Sequence, residues 1–400
     1  MTMQSRPTVS HGAGWRPLAG VKLLDFSALL PGPMAGGIFA DLGAEVIKIE
    51  PLTGDAVRHR GVLAPIHRSA NRSKSSLLIN LKKPEAATVL GRLARWGDAA
   101  LESFRPGVAA KLGIDHEALS RHNARIITCS LSGYGQTGPW RDRPGHDLNF
   151  LAAAGAFAFP GHWTGRPRRS GLPIADLCGG YTAAIALLAA LRERDATGKG
   201  TALDIALMDA TLYAVAMRHG LERDRFIADY PYPTNDLFLT SDGREIALGV
   251  GTEDSLWENL RRALSSIGPA ILDARYDSDA LRREHGDELF ALLETTLAQR
   301  PASEWIALFE EFDVPASLCV APSEAVESEQ ITSRGFVQTV DGHHLSTFPA
   351  NARGALPEIR WPAPDAGEGT RPVLRMIGLD EVEIEGLLQS GTVAERAAAL

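Results

Sequence analysis

Short apolar segments alternate with helix-forming segments through the first third of this chain, and this alternation constrains the fold most. The predicted strands, rich in apolar or β-branched residues, are Val21–Phe26, Ala44–Glu50, Ser75–Leu81, Ala99–Glu102 and Ile126–Leu131. Helix-compatible runs lie between most of them, as the crossovers between parallel strands require. We therefore predict an α/β fold with an open parallel sheet, which binds its ligand beyond the carboxyl ends of the strands. No glycine fingerprint of a dinucleotide site follows the first strand.

The net charge and the cysteine content restrict the classes of partner and the compartment that we expect for this chain. A formal net charge of −8 over 400 residues offers no basic surface for nucleic acid or an anionic membrane. The three cysteines, Cys129, Cys178 and Cys319, form no CxxC pair, which is typical of a reducing compartment. Residues 1–15 lack the apolar core of a signal peptide, and no run approaches the ~20 apolar residues of a membrane span. We expect a soluble, cytoplasmic protein without nucleic-acid or membrane partners.

A change of composition after about residue 222 predicts a domain boundary. Two alternating segments, Asp236–Thr240 and Glu245–Val250, flank a turn and predict a β-hairpin, and helical segments follow it. Residues 335–372 are rich in Pro, Gly and His. We predict a flexible lead-in (1–19), a large Rossmann-like α/β domain (20–222), a smaller α+β domain (225–330) and an extended tail (331–400) that returns to the large domain.

Two titratable residues, His146 and Asp176, each stand at the entry to an apolar helical run. A side chain at a loop-to-helix junction is held rigidly yet open to a cleft. Imidazole titrates near neutral pH and can exchange a proton. The free N–H groups at the helix start should keep Asp176 ionised. The simpler alternatives are a helix cap for Asp176 and a structural loop histidine for His146. Asp147 is expected to be a structural cap rather than a base.

Seven further motifs stand in order along the chain, six before these two residues and one after them. They are Leu24–Ser27 with Pro31–Pro33, Asp41–Glu50, Gly54–Arg58, Asn71–Lys82, Glu102–Gly107, Leu131–Pro139 and Thr197–Gly200. With these motifs the chain resembles the family III CoA-transferase (CaiB/BaiF) superfamily, which includes the α-methylacyl-CoA racemases. The resemblance implies an acyl-CoA substrate, no further cofactor and no metal. It also implies an interlocked homodimer, with active sites between a large and a small domain of different subunits.

The resemblance leaves the reaction open between two chemistries. In a racemase, His146 and Asp176 would exchange the proton α to the thioester, and Glu253 would orient the histidine. The Gly145–Leu151 motif is close to the racemase form, so we predict an acyl-CoA racemase acting on a (2-methyl)acyl-CoA. In a CoA-transferase, Asp176 would instead attack the thioester and carry CoA to a second carboxylic acid. A catalytically silent CoA-binding protein is a third alternative, which the intact His146, Asp176 and Glu253 argue against.

The resemblance also implies which residues contact CoA. These are Ala28, Leu29, Leu30, Ile79, Lys82, Phe104, Arg105 and Lys111. Lys82 and Lys111 suit the phosphates, although both residues also read as solvated surface lysines. Pro51 stands where a basic residue is common, and we expect Arg58 or Arg72 to compensate.

Overall fold

The computed structural model describes residues 14–158, 161–165, 170–219 and 232–397. Most of the predicted lead-in (residues 1–13) and the predicted boundary near residue 222 lie outside the described residues. The chain forms two compact units. Unit 1 comprises Met1–Ala154, Leu172–Arg218 and Val326–Leu400, and unit 2 comprises Gly155–Gly171 and His219–Ala325.

The bounds of the regular elements are as follows. In the described residues the strands are β1 Lys22–Asp25, β2 Glu45–Glu50, β3 Ser75–Ile79, β4 Ala99–Glu102, β5 Ile127–Ser132, β6 Ala202–Ala206, β7 Asn235–Leu239, β8 Glu245–Gly249, β9 Ala316–Leu318, β10 Val337–Val340, β11 His343–Ser346 and β12 Val393–Ala394. The α-helices there are α1 Pro31–Asp41, α2 Ala64–Asn71, α3 Ala86–Trp96, α4 Val108–Leu112, α5 His116–Ser120, α6 Asp147–Ala153, α7 Ile174–Thr197, α8 Leu207–His219, α9 Asp254–Leu264, α10 Asp279–Glu284, α11 Gly286–Leu297, α12 Ala302–Glu311, α13 Pro322–Glu327, α14 Glu329–Arg334, α15 Thr370–Met376 and α16 Glu381–Gln389.

One mostly parallel sheet organises unit 1. Among the described residues seven strands form it, in the order β12-β3-β2-β1-β4-β5-β6. Strands β1 to β6 pair in parallel, which confirms the predicted α/β fold. The adjacent residues Leu23 and Leu24 are both fully buried, because helices cover both faces of such a sheet. The strand order reverses direction between β1 and β4, the place where sheets of this kind bind ligands.

Helix α7 runs for 24 residues in unit 1, and it passes a simple test for a membrane span by length and composition. The sequence prediction that no run of this kind exists is therefore wrong. The helix contains buried small residues, including Ala183 and Ala184, and it packs against α1, β5 and β6. Because unit 1 has a soluble-type α/β fold, we interpret α7 as a core helix with one exposed apolar face.

The tail 331–400 is more structured than the extended segment that we predicted. It forms the β10–β11 hairpin, helices α15 and α16, and the edge strand β12, which pairs antiparallel with β3. A capping box begins α16: Asp380 accepts the Glu383 N–H (2.8 Å), and Glu383 accepts the Asp380 N–H (2.9 Å). The chain thus returns to the sheet of unit 1.

Unit 2 has its own antiparallel sheet, β7-β8-β9, and its own core around Trp257 and Trp305. The predicted hairpin corresponds to β7 and β8. The 155–171 segment falls in unit 2, although its position lies inside the predicted large domain. His162 and the Trp163 N–H each contact the Asp236 carboxylate at 2.6 Å, so a buried acid of β7 holds part of this segment.

Candidate active site

The start of α7 carries Asp176, and a carboxylate from α6 caps it. Asp147 accepts hydrogen bonds from the backbone N–H groups of Ala175 (2.8 Å) and Asp176 (3.3 Å). This geometry confirms the predicted structural role of Asp147, as the cap of a helix 27 residues further along the chain. Asp176 stands in the first turn of α7 rather than at its cap position, which Pro173 occupies. The Asp176 carboxylate is therefore free of a capping role.

Asp176 is an unusually basic carboxylate. Burial and the nearby charge of Asp147 raise its pKa to about 6. We expected the helix start to favour the ionised form of Asp176, but burial and the Asp147 charge outweigh that effect and raise its pKa. At neutral pH Asp176 is still mostly ionised, and it is a stronger base and nucleophile than an ordinary aspartate.

His146 precedes Asp147 directly and is the N-cap residue of α6. Its backbone N–H donates to Asn149 Oδ1 (3.0 Å), and its side chain is exposed in the chain considered alone. The Asp147 carboxylate therefore joins the helix that His146 caps to the turn that carries Asp176.

Glu253 belongs to unit 2, where it is the N-cap residue of α9. Its side chain is exposed and makes no capping hydrogen bond. Its neighbour Asp254 accepts from the fully buried Arg282 (2.9 Å), which also donates to the Tyr232 hydroxyl (3.0 Å). The start of α9 is thus held firmly while the Glu253 carboxylate is left available. Its proposed contact with His146 stays a prediction.

A cavity of about 890 Å³ opens at the carboxyl ends of β1, β2 and β3, as predicted for a parallel sheet. This volume is near the upper end of the ~300–1,000 Å³ found for small-molecule sites. Its apolar walls include Phe26, Ile49, Ile79, Leu81 and Phe104. Residues 51–56, 59 and 60 also line it.

The turn between β1 and α1 joins this cavity to Asp176. Ala28 lines the cavity, and its N–H donates to Ser103 Oγ (3.0 Å). Three residues later, Pro31 passes so close to α7 that a Cβ at Gly180 would lie 2.9 Å from the Pro31 carbonyl oxygen. Residues i and i+4 share a helix face, so Asp176 lies one turn before this contact on the same side of α7. The β1–α1 turn thus runs from the cavity wall to the side of α7 that carries Asp176.

Comparison with known proteins identifies the architecture. The model of CoA-transferase family III matches residues 18–370. The chain belongs to CoA-transferase family III. A succinyl-CoA:glutarate CoA-transferase of Mus musculus is 30% identical over 95% of this chain and 91% of its own length. An acyl-CoA transferase of Fusarium pseudograminearum is 32% identical over 94% of this chain and 88% of its own length.

A solved structure shares the fold of this family III chain. The crystal structure of a CAIB/BAIF family protein from Brucella suis superposes with a TM-score of 0.79 and 26% identity, over 90% of this chain and 99% of that chain. Membership makes the protein an enzyme that acts on CoA thioesters, as predicted from the motifs.

Only some of the residues that we predicted to contact CoA line this cavity. Ala28, Ile79, Lys82 and Phe104 line it. Leu29, Leu30, Arg105 and Lys111 are not among its lining residues. Leu29 has a positive φ of 68°, a conformation that L-residues rarely adopt, and its side chain is exposed beside the cavity turn. Arg105 and Lys111 are also exposed.

Arg58 and Arg72, which we expected to compensate for the base missing at Pro51, both have carboxylate partners within the protein. Arg58 forms a bidentate pair with Glu50 (2.7 Å for each contact) and donates to the Pro364 carbonyl oxygen (2.8 Å). Arg72 pairs with the buried Asp41. These partners lie 8 and 31 residues away, and nothing in the local sequence marks either pair.

A buried charged network lies beside the cavity. Lys74 is fully buried and donates to Asp25 Oδ2 (2.8 Å), the Pro33 carbonyl oxygen (2.8 Å) and Asn71 Oδ1 (2.9 Å). Asp25 in turn accepts from the N–H (3.0 Å) and hydroxyl groups of Ser27. Burial alone would raise the pKa of Asp25, but Lys74 and Lys48 lower it below its ordinary value. This network holds the β1–α1 turn, whose residues Ser27 and Ala28 line the cavity.

Two basic residues of the cavity, His59 and Arg60, were not predicted from the sequence. They directly follow the Gly54–Arg58 motif, and that position was the one signal that could have revealed them.

Proposed function

We propose that this enzyme is a CoA-transferase, which moves CoA from an acyl-CoA donor to an acceptor carboxylic acid with Asp176 as nucleophile. The observation that carries the proposal is a half-buried carboxylate, its pKa raised to about 6, one helical turn from the point where the β1–α1 turn of the cavity approaches α7. The names of the relatives support transfer over racemisation. The roles of the site residues and the binding of a CoA ester in this cavity belong to the same proposal.

The proposed reaction balances around one carboxylate. An Asp176 oxygen attacks the thioester carbonyl carbon, and the C–S bond breaks to give an acyl–aspartyl anhydride and CoA thiolate. The thiolate then attacks the aspartyl carbonyl carbon, which forms an aspartyl-CoA thioester and releases the donor acid. An acceptor carboxylate attacks this thioester, and the returning thiolate takes the new acyl group from the second anhydride. Asp176 is regenerated with one oxygen atom from the acceptor.

The acceptor that we propose is a small dicarboxylic acid. The relative from Mus musculus is named for succinyl-CoA and glutarate, and the chain matches most of its length. We further propose an interlocked homodimer in the cytoplasm that needs no cofactor besides CoA. Large apolar side chains on α7 and α8 support a subunit interface, since Ile185, Tyr213 and Met217 are each about two-thirds exposed in one chain: 66%, 67% and 69%.

Racemisation is the second candidate, and the presence of His146 beside the Asp147 cap favours it. It would need His146 and Asp176 on opposite faces of an enolate, with Glu253 supporting the histidine. Loss of His146 should slow a two-base reaction by ~10²–10⁴-fold. Nucleophilic attack by Asp176 does not use His146, so its rate should not fall in this way.

One experiment separates the two candidates. Wild type and His146→Ala are incubated in deuterated water, once with a 2-methylacyl-CoA alone and once with succinyl-CoA plus glutarate. We expect CoA to move to glutarate in both proteins, with rates within about tenfold of each other, and no α-deuterium in the methylacyl-CoA. Deuterium uptake without an acceptor, abolished by His146→Ala, would reverse the assignment.

The pH profile should report the ionisation of Asp176. Because the neutral acid cannot attack, kcat/KM for the donor should rise with pH and level off above about 6, the pKa that burial and Asp147 give this carboxylate. Asp147→Asn keeps an oxygen that accepts the α7 N–H groups but removes the neighbouring charge. Its rising limb should move to lower pH. An unmoved limb in Asp147→Asn would show that another group controls the profile.

A further inference from the structure

The segments that line the cavity differ in the unpaired charge that they carry. At the β1–α1 turn the lining residues Phe26, Ser27 and Ala28 are uncharged, and the turn continues to the Asp176 helix. The loop 51–60 contributes the basic residues His59 and Arg60. CoA has a matching asymmetry, since its thiol is at one end and its 3′-phosphoadenosine diphosphate is at the other.

Most charged residues of the cavity wall already have partners in the protein. Lys48 pairs with Asp55 (3.3 Å), and Glu50 pairs with Arg58 (2.7 Å). These pairs are buried and leave little net charge for a ligand. Arg60 differs: its side chain is exposed and forms no ion pair with any residue that the structure describes.

His59 and Lys82 complete the cationic part of the lining. The His59 Nε2 lies 3.2 Å from the Thr53 carbonyl oxygen, which ties the ring to its own loop. Lys82 is exposed and follows β3, which forms another wall of the cavity. A guanidinium offers a planar fork that matches a terminal phosphate, whereas an ammonium acts as a point charge.

We propose that Arg60, with His59 beside it, binds the 3′-phosphate of CoA and makes the enzyme selective for CoA over 3′-dephospho-CoA. Arg60 is exposed, which suits a contact with the outermost phosphate of CoA. Lys82 then contacts the diphosphate. Arg60 thus takes the part that the missing base at Pro51 would otherwise play. The inference rests on the proposed function only in taking CoA as the ligand.

Calorimetric titration of CoA and 3′-dephospho-CoA into the full-length protein tests this assignment. Arg60→Ala should weaken CoA binding by about 10- to 100-fold, the usual effect of losing a charge-assisted contact, and should change dephospho-CoA binding by less than about twofold. Wild type should prefer CoA by a similar factor. Lys83→Ala is the matched control, because Lys83 is exposed next to Lys82 but is not among the lining residues.

Three results would overturn the assignment: equal loss for both ligands, no loss for either, or a wild type that does not bind CoA. Since Arg60 has no described ion pair, its variant should melt like wild type, and a melting curve checks this. The readout is binding rather than turnover. A wild type that discriminates the two ligands but transfers no CoA would therefore refute the proposed function and leave this assignment standing.

Discussion

Asp176→Ala is expected to abolish CoA transfer, with a loss of at least about 10⁴-fold, because the variant has no oxygen nucleophile to form the anhydride. CoA binding should change little, since the cavity walls do not include Asp176. The measurement is the rate of CoA movement from succinyl-CoA to glutarate, with calorimetric CoA binding beside it.

Asp195→Ala is the matched control for this change. Asp195 lies near the other end of α7, and its side chain is 61% exposed. Thermal stability distinguishes a catalytic from a structural role for Asp176. Burial raises the folded-state pKa of Asp176 to about 6, so its charged form destabilises the fold at any pH above that value. Asp176→Ala should therefore melt at the same or a higher temperature at pH 7.5. Normal turnover in Asp176→Ala would remove the site assignment altogether.

Lys74→Met is expected to destabilise the protein by about 3–5 kcal/mol, because it leaves the Asp25 carboxylate buried without its main partner. Both side chains are fully buried, so water cannot replace the lost ammonium. Urea unfolding followed by circular dichroism measures the change. Lys83→Met, at an exposed lysine of the same unit, should stay within about 0.5 kcal/mol of wild type.

A double variant shows whether the pair itself causes the loss. Asp25→Asn combined with Lys74→Met removes both charges and should recover part of the stability lost in Lys74→Met. A loss below about 1 kcal/mol in Lys74→Met would mean that the buried network does not hold the β1–α1 turn.

The sheet was predictable because its strands carry their own signals. β-Branched and apolar runs marked β1 to β5 within a few residues, and the helices between them imposed parallel pairing. Helix α1 begins at Pro31, since proline fits the first turn of a helix. The end of the tail was missed, although the Asp380–Glu383 capping box of α16 was present in the sequence.

The site depended on contacts that the local sequence does not contain. Asp147 caps α7 from a separate helix, and burial together with the charge of Asp147 raises the pKa of Asp176. Arg58 and Arg72 resembled ligand-binding cations until their buried partners were known. The motifs identified the family but not the reaction, because His146 and Asp176 suit both a racemase and a transferase.

Isotope transfer to Asp176 tests the central claim most directly. The enzyme is incubated with succinyl-CoA and with glutarate labelled with ¹⁸O in both carboxylates, then digested, and the peptide that contains Asp176 is weighed by mass spectrometry. The proposed sequence of anhydrides predicts that ¹⁸O enters Asp176 with turnover and that no label enters the peptide without succinyl-CoA. CoA transfer with an unlabelled Asp176, or α-proton exchange with no transfer, would contradict the account.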